Sequence, residues 1–173
     1  MNYPRHGYIQ SAWVVNDLEN SIRSWVENSR VGPFFISKSI PVIDLIYRGK
    51  PTRLDFSAAF AQAGPMQIEL IEQHSSGPSV YRDMFPAGHE GFHHLCSFTD
   101  DIDGESERYR RIGVDLIATG LVGDVRFSYF DTRPGLGCIT ELIERRDAVT
   151  ELFDKVAKAA DGWDGREPIR FLN

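Results

Sequence analysis

Two short runs of the chain each place a carboxylate at the centre of an apolar stretch. Residues 68–72 read IELIE, and residues 140–144 read TELIE. Each run has the composition of a β-strand, in which alternate side chains face opposite sides, so that Glu69 and Glu141 lie among apolar neighbours on both faces. An isolated carboxylate is costly to bury and usually ends protonated, paired with a cation or bound to a metal ion. The two runs therefore indicate a pair of carboxylates with a chemical role.

An internal repeat relates these two runs. The order strand, helix and three strands occurs twice. YIQSAWVVNDLE aligns with FHHLCSFTDDID and superimposes Gln10 on His94, while IELIE aligns with TELIE and superimposes Glu69 on Glu141. If two such units pair edge to edge, their sheets form one trough that the first and last strands of each unit line. The repeat therefore predicts that these four side chains converge.

The elements that must position them follow from local patterns. Apolar residues at helical spacing after Asn16 and Asp17 predict a capped helix, and residues 101–112 predict another in the second half. VGPFF at residues 31–35 is predicted to be a turn, and IPVIDLIY, TRLDFSAAF and MQIELI to be the three following strands. His93 is expected on the opposite face from His94, in a structural role.

We therefore predict an α+β fold of two tandem βαβββ modules, whose mixed sheet forms a curved trough with the helices on the outside. Residues 74–91 are rich in Gly, Pro and Ser and mark the junction. The predicted segments are a first module at 1–75, a connecting loop at 76–90, a second module at 91–147, and a C-terminal helix and tail at 148–173.

Composition limits the classes of function. The 173 residues are 42% hydrophobic, with 25 acidic against 19 basic residues and a formal net charge of −6. No basic stripe suited to a phosphate backbone occurs, so we expect no nucleic-acid partner. The start lacks a signal-peptide pattern, no apolar run is long enough to cross a bilayer, and two cysteines fit a reducing compartment. A cytoplasmic protein without a membrane partner is expected.

At these residues the chain resembles the vicinal oxygen chelate superfamily, which includes glyoxalases, methylmalonyl-CoA epimerases, extradiol dioxygenases and antibiotic-resistance proteins. The resemblance covers roughly residues 5–147. GFHHL and the tandem layout are closer to the epimerases, whereas a Gln, Glu, His, Glu set is similar to that of glyoxalase I. The stretches that carry the resemblance are YIQSAWVVNDLENSI, VGPFF, GFHHLCSFTDDID and VRFSYFDTRPGLGCITELIE.

The resemblance implies that Gln10, Glu69, His94 and Glu141 bind one divalent ion, which this donor set allows to be Zn, Ni, Co, Mn, Fe or Mg. It implies a lyase, isomerase or epimerase that abstracts a proton beside the carbonyl of a small-molecule substrate, with Glu141 as the first choice of base and Glu69 serving the opposite face. A homodimer is also expected. The approach to His94, AGHEGFH, lacks the arginine that glyoxalase I places there for glutathione.

Other interpretations stay open at this point. Glu69 and Glu141 could pair with Arg53 or Arg126 instead of a metal. Arg126 could hold a substrate carboxylate or phosphate, or pair with Asp131 or Glu144, and Tyr129 could shape an aromatic pocket or belong to the core. A non-catalytic binding protein of the resistance type is the main alternative function. An extradiol dioxygenase is less favoured, because it needs two histidines and one carboxylate.

Overall fold

The protein is described by a computed structural model that covers residues 7–172. Residues 1–6 and 173, which the first and last predicted segments include, lie outside the described residues. The fold is mixed α+β, as the sequence predicts. The helices are α1 (Leu18–Ser29), α2 (Ile102–Arg111), α3 (Arg133–Leu136) and α4 (Asp147–Ala160). The strands are β1 (Gln10–Val14), β2 (Phe34–Ser37), β3 (Val42–Tyr47), β4 (Lys50–Pro51), β5 (Phe56–Ala63), β6 (Met66–Gln73), β7 (Gly91–Thr99), β8 (Leu116–Val122), β9 (Val125–Phe130), β10 (Ile139–Glu144) and β11 (Ile169–Phe171).

All of these strands belong to one open mixed sheet, in the order β11-β2-β5-β6-β1-β7-β10-β9-β8-β3-β4. The first unit, β1-α1-β2-β5-β6, and the second, β7-α2-β8-β9-β10, have the same connections. In each unit the first strand pairs in parallel with the last. β1 and β7 pair antiparallel at the centre of the sheet. The prediction of two tandem βαβββ modules is therefore confirmed.

The first module uses different strands from those predicted. Residues 34 and 35 of VGPFF are not a turn, because Phe34–Ser37 forms β2 and pairs antiparallel with β5. The predicted strand IPVIDLIY does form, as β3, but it pairs with β8 of the second module. The hairpin β3-β4 is thus an insertion. The aromatic side chains of β2 are buried, and this tertiary packing outweighs the turn signal of the preceding Gly-Pro.

α1 and α2 begin as the sequence predicts. The Asp17 carboxylate accepts a hydrogen bond of 2.9 Å from the Asn20 backbone N–H, and the Asp101 carboxylate accepts one of 2.9 Å from Gly104. These bonds satisfy backbone donors that have no partner within the first helical turn. Leu18 of α1 packs, with Ile22, against apolar residues of β5 and β6 that face away from Glu69. α1 therefore lies on the outer face of the sheet.

α4 does not lie on this outer face, and the C-terminal tail joins the sheet itself. Phe153 and Val156 of α4 are buried, and this helix packs on the face of the sheet that bears Glu69 and Glu141. The tail docks on the core, since β11 extends the sheet in parallel with β2. The C-terminal region thus covers the face that the repeat predicts to carry the functional residues. Within residues 7–172, none of the helices has the length and apolar character to span a membrane.

The packing of α1 against β6 predicts that Leu70→Ala destabilises the protein. Leu70 is fully buried on the face opposite Glu69, and truncating a buried leucine costs about 2–5 kcal/mol. Ile43→Ala is the control, because Ile43 is 50% exposed and its change should stay within about 0.5 kcal/mol. Urea denaturation of both variants measures the free energy of unfolding. Similar losses for the two variants would contradict this packing.

Candidate metal centre and its apolar cavity

Three buried side chains with metal-binding atoms meet at the centre of the sheet. Glu69 on β6, His94 on β7 and Glu141 on β10 place one such atom each within 4.8 Å of the others. His94 Nε2 lies 3.0 Å from Glu141 Oε2 and 3.5 Å from Glu69 Oε2. His94 is fully buried, and the two glutamates are 8% and 6% exposed. The repeat therefore brings these three residues together as predicted.

The strand register explains this convergence. Ala12 of β1 lies opposite both Glu69 on β6 and His94 on β7. On β7, Cys96 lies opposite Glu141 on β10. Directly opposite residues of neighbouring strands share a face of the sheet, so all three functional side chains project to the same side. The three side chains converge because the first strand of each module pairs in parallel with its last strand.

Gln10 lines the same cavity as Glu69 and Glu141 and is 2% exposed. Its Nε2 donates a hydrogen bond of 2.7 Å to Oε1 of Gln67, which lies opposite it on β6. Its Oε1 has no hydrogen-bond partner among residues 7–172. The amide of Gln67 therefore orients that of Gln10 and leaves the Gln10 carbonyl oxygen free.

The residues present fit a divalent metal ion. His94 Nε2, despite its short distances to the two carboxylates, also lacks a partner with hydrogen-bond geometry within the described part of the chain. Buried polar atoms without partners are rare in folded proteins, and these two are an amide oxygen and an imidazole nitrogen, both suited to metals. Glu69 and Glu141 add two negative charges that a divalent ion would neutralise.

His93 does not lie on the face predicted for it. Ala12 pairs with His94 and Trp13 pairs with Phe92, so His93 is an extra residue at a β-bulge in β7. The bulge brings the two imidazole rings together, with Nδ1 of His93 2.9 Å from Nδ1 of His94. His93 Nε2 lies 3.0 Å from the Val80 carbonyl oxygen. The prediction failed because simple alternation does not hold across a bulge.

Burial and charge move the pKa values of this cluster in different directions. Burial lowers the pKa of His94, but the carboxylates of Glu141 and Glu69 outweigh it and raise the pKa to about 9. Burial, together with the charge on His94, lowers the pKa of His93 to about 3, so that His93 stays neutral. Burial also raises the pKa of Glu69, against the opposing effect of His94. Without a metal, a protonated His94 therefore offsets part of the negative charge.

A cavity of about 280 Å³ opens beside the metal-binding atoms. β3 and β5 are separated in the sheet by six strands, yet both line this cavity, so the sheet bends around it as predicted. Tyr129 lines the cavity and packs edge-on against His94, with ring centroids 5.3 Å apart. Its hydroxyl lies 3.5 Å from that of Tyr81. The cavity thus joins an apolar wall to a small group of polar atoms.

Arg126 does not reach this cavity. It alternates with Phe127 and Tyr129 along β9, and both of those line the cavity whereas Arg126 projects from the opposite face. Its guanidinium lies 2.9 Å from Asp103 and 3.4 Å from Glu144. The structure therefore favours the ion-paired interpretation of Arg126 over substrate binding. Within residues 7–172, no arginine or lysine forms an ion pair with Glu69 or Glu141.

Sequence reasoning missed several residues of the site. Gln67 is two positions before Glu69 on the same face, so strand alternation could have found it. Val80 and Tyr81 belong to the connection between modules, where no periodic pattern gave a signal. α4 was assigned to the outside because its apolar stripe does not tell which face of the sheet it covers. The missed α4 residues that line the cavity are Ala148, Val149, Leu152 and Phe153.

Solved structures with a similar fold include two epimerases. Methylmalonyl-CoA epimerase from Mycobacterium tuberculosis matches with a TM-score of 0.56 and 16% identity, over 84% of this chain and 91% of that chain. A Streptomyces coelicolor methylmalonyl-CoA epimerase variant in complex with 2-nitronate-propionyl-CoA matches with a TM-score of 0.58 and 14% identity, over 83% and 97%. A hypothetical protein from Bacillus halodurans C-125 matches with a TM-score of 0.60 and 18% identity, over 82% and 95%. The TM-scores show a shared fold, and identities this low show nothing beyond the fold.

Comparison with curated proteins finds no match. The sequence does match the family described as the glyoxalase/bleomycin resistance protein/dioxygenase superfamily, over residues 9–129. That range begins just before β1, includes Gln10, Glu69 and His94, and spans more than half of the chain. With the paired βαβββ modules and the buried Glu-His-Glu cluster, it shows that this chain belongs to the glyoxalase/bleomycin resistance protein/dioxygenase superfamily.

Proposed function

We propose that the protein is a divalent-metal-dependent enzyme that moves a proton at the carbon next to a carbonyl group, as an epimerase, isomerase or glyoxalase-type lyase. The observation that carries this proposal is the buried cluster of Glu69, His94 and Glu141 at the base of an apolar cavity. Two solved structures of similar fold are epimerases by their descriptions, which agrees with this reaction class.

Gln10, Glu69, His94 and Glu141 are the residues that would hold the ion. Their donor atoms are two carboxylate oxygens, one amide oxygen and one imidazole nitrogen, a set without thiolate that suits Zn, Ni, Co, Mn, Fe or Mg. When bound, such an ion would polarise a carbonyl oxygen and make the adjacent carbon–hydrogen bond more acidic. Proton transfer and hydrogen bonding to the substrate are assigned to the side chains around the ion.

We assign Glu141 as the base and Glu69 as the group that returns the proton. Both carboxylates line the cavity. Their Oε2 atoms approach the same nitrogen, His94 Nε2, at 3.0 Å for Glu141 and 3.5 Å for Glu69. Burial raises the pKa of Glu69, so this carboxylate takes up a proton more readily than an exposed one and can pass it on. Because the two carboxylates border the same part of the cavity, one can remove a proton from one face of a substrate carbon and the other can return a proton to the opposite face.

Tyr129, and with it Tyr81, are the hydroxyl donors that we assign to a substrate oxygen. Burial and the charge of Glu141 raise the pKa of Tyr129 well above its usual value. Burial and Glu69 do the same for Tyr81. Both hydroxyls therefore keep their protons and can donate hydrogen bonds. The wall around them is mainly apolar, and hydrogen bonds are stronger in such surroundings than in water.

The proposed centre predicts about one divalent ion per chain in protein purified without chelator. His94→Ala and Glu69→Ala should each remove most of the bound metal, because each substitution deletes one ligand of the ion. Glu107→Gln is the control, since this carboxylate lies on the solvent side of α2. Elemental analysis by mass spectrometry gives the stoichiometry. Native protein that contains no divalent metal and binds none on titration would refute the centre.

Glu141→Gln is expected to abolish proton transfer while leaving the fold intact. Loss of a general base lowers rates by about 10²–10⁴-fold, and glutamine matches glutamate in size. The measurement is deuterium uptake from heavy water beside the carbonyl, across 2-oxo acids, acyl-CoA thioesters and ring ketones. Circular dichroism checks the fold, and Glu107→Gln is the control.

Full exchange in the Glu141→Gln protein would disprove the base assignment. A native protein that binds metal but promotes no exchange in any of these compounds would instead favour the non-catalytic binding function.

A further inference from the structure

We infer that the cavity accepts a neutral, predominantly apolar carbonyl compound, most suitably a ring ketone. The carbonyl rests on the proposed function, but the neutral and apolar character rests on the cavity wall alone. Among the described residues that line the cavity there is no lysine or arginine. The ionisable side chains that line it are Glu69, Glu141 and the three tyrosines Tyr47, Tyr81 and Tyr129.

An anionic substrate would therefore find no cationic side chain in this cavity. The charge of the proposed ion is already balanced by Glu69 and Glu141, so the charge of the substrate would leave water for an apolar wall and add an uncompensated negative charge there. The arginines nearby are already engaged. Arg48 lies 2.8 Å from Asp83, and Arg126 is held by Asp103 and Glu144 on the opposite face of the sheet.

The aromatic lining and the volume of the cavity favour a flat ring. Aromatic side chains from three strands and from the connection between modules face it, and its volume of about 280 Å³ is near the lower end of ligand pockets, which run from roughly 300 to 1,000 Å³. Aromatic walls bind rings through stacked and edge-on contacts. These aromatic side chains are Tyr47, Phe56, Phe60, Tyr81, Phe127 and Tyr129.

The test is the affinity of 1-tetralone, a neutral ring ketone, against the same ring bearing a carboxylate. Calorimetry on the native protein, as purified and after metal removal, should give at least about tenfold tighter binding of the neutral compound. Phe127→Ala should weaken that binding roughly fivefold through the lost aromatic contact. Leu121→Ala is the matched control, because Leu121 lies opposite Arg126 in the sheet and so faces away from the cavity.

Each outcome decides something different. Absence of tetralone binding, or equal or tighter binding of the carboxylate, would overturn the inferred ligand class. Tetralone binding without deuterium exchange in any carbonyl compound would uphold the ligand class while the proposed proton transfer fails. Exchange restricted to anionic compounds would uphold proton transfer and overturn the ligand class.

A second inference comes from the bulge in β7: the geometry points to His93 as a positioning residue that fixes the tautomer of His94. The Val80 carbonyl can only accept a hydrogen bond, so His93 Nε2 donates to it at 3.0 Å. A His94 ring that binds an ion through Nε2 carries its hydrogen on Nδ1, and this Nδ1 then donates to His93 Nδ1 at 2.9 Å. In the metal-bound protein, the lone pair of His94 Nε2 is thereby left for the ion that Glu69 and Glu141 would also hold.

The test replaces the acceptor while keeping the packing. His93→Phe should weaken Zn²⁺ binding by about 10–100-fold in calorimetry, the usual cost of losing an outer partner of a ligand. His93→Gln, which offers both an acceptor and a donor, should stay within about threefold of the native affinity. Unchanged affinity in His93→Phe, or equal weakening in both variants, would contradict the role.

Nitrogen NMR of the native Zn²⁺-loaded protein gives an independent readout that a purely structural role would not produce. The ring of His94 should show a protonated Nδ1 whose hydrogen exchanges slowly with solvent. Its absence would overturn the assignment, whether or not the His93→Phe protein folds.

Discussion

The central constraint on this fold is the burial of two carboxylates and an imidazole in the middle of an apolar sheet. Charged groups lose their hydration there, and only close opposite charge compensates for that loss. Without a metal, the chain supplies part of this compensating charge itself, because Nε2 of a protonated His94 lies 3.0 Å from Glu141 and 3.5 Å from Glu69. One positive charge cannot balance two negative ones. A divalent cation would relieve the remaining imbalance and would also contact the Gln10 oxygen, which has no hydrogen-bond partner among residues 7–172.

The duplicated architecture is the means by which these groups meet. Each module returns its last strand to the side of its first, and the two first strands, β1 and β7, pair at the centre of the sheet. A residue on any of the four central strands therefore has a counterpart in the other module. Gln10 corresponds to His94, and Glu69 corresponds to Glu141. The amide of Gln67 and the bulge at His93 then orient two of these four groups.

This is also why so much of the centre could be predicted from the sequence. The alignment of the modules carries geometric information that single patterns lack, so a glutamine and a histidine with no distinctive context were identified together. Features that break regularity were not predictable in the same way. The bulge at His93 is an added residue that no alternation rule anticipates, and the ion pair of Arg126 with Asp103 depends on α2 packing nearby. β2 was mistaken for a turn because its burial comes from tertiary contacts.

In the proposed function, the chemistry and the specificity of this protein arise from different parts of the chain. The predicted ligands all lie on strands that the two modules share. Much of the cavity wall comes instead from elements that have no counterpart in the other module: the β3 insertion, the connection that carries Tyr81, α4, and the tail at Leu172. These elements bring apolar and aromatic side chains but no cation. The proposed centre, suited to enolisable carbonyls in general, is thereby combined with a wall that we infer to admit only neutral, apolar ones, and changes in the wall can alter the ligand without disturbing the proposed metal-binding residues.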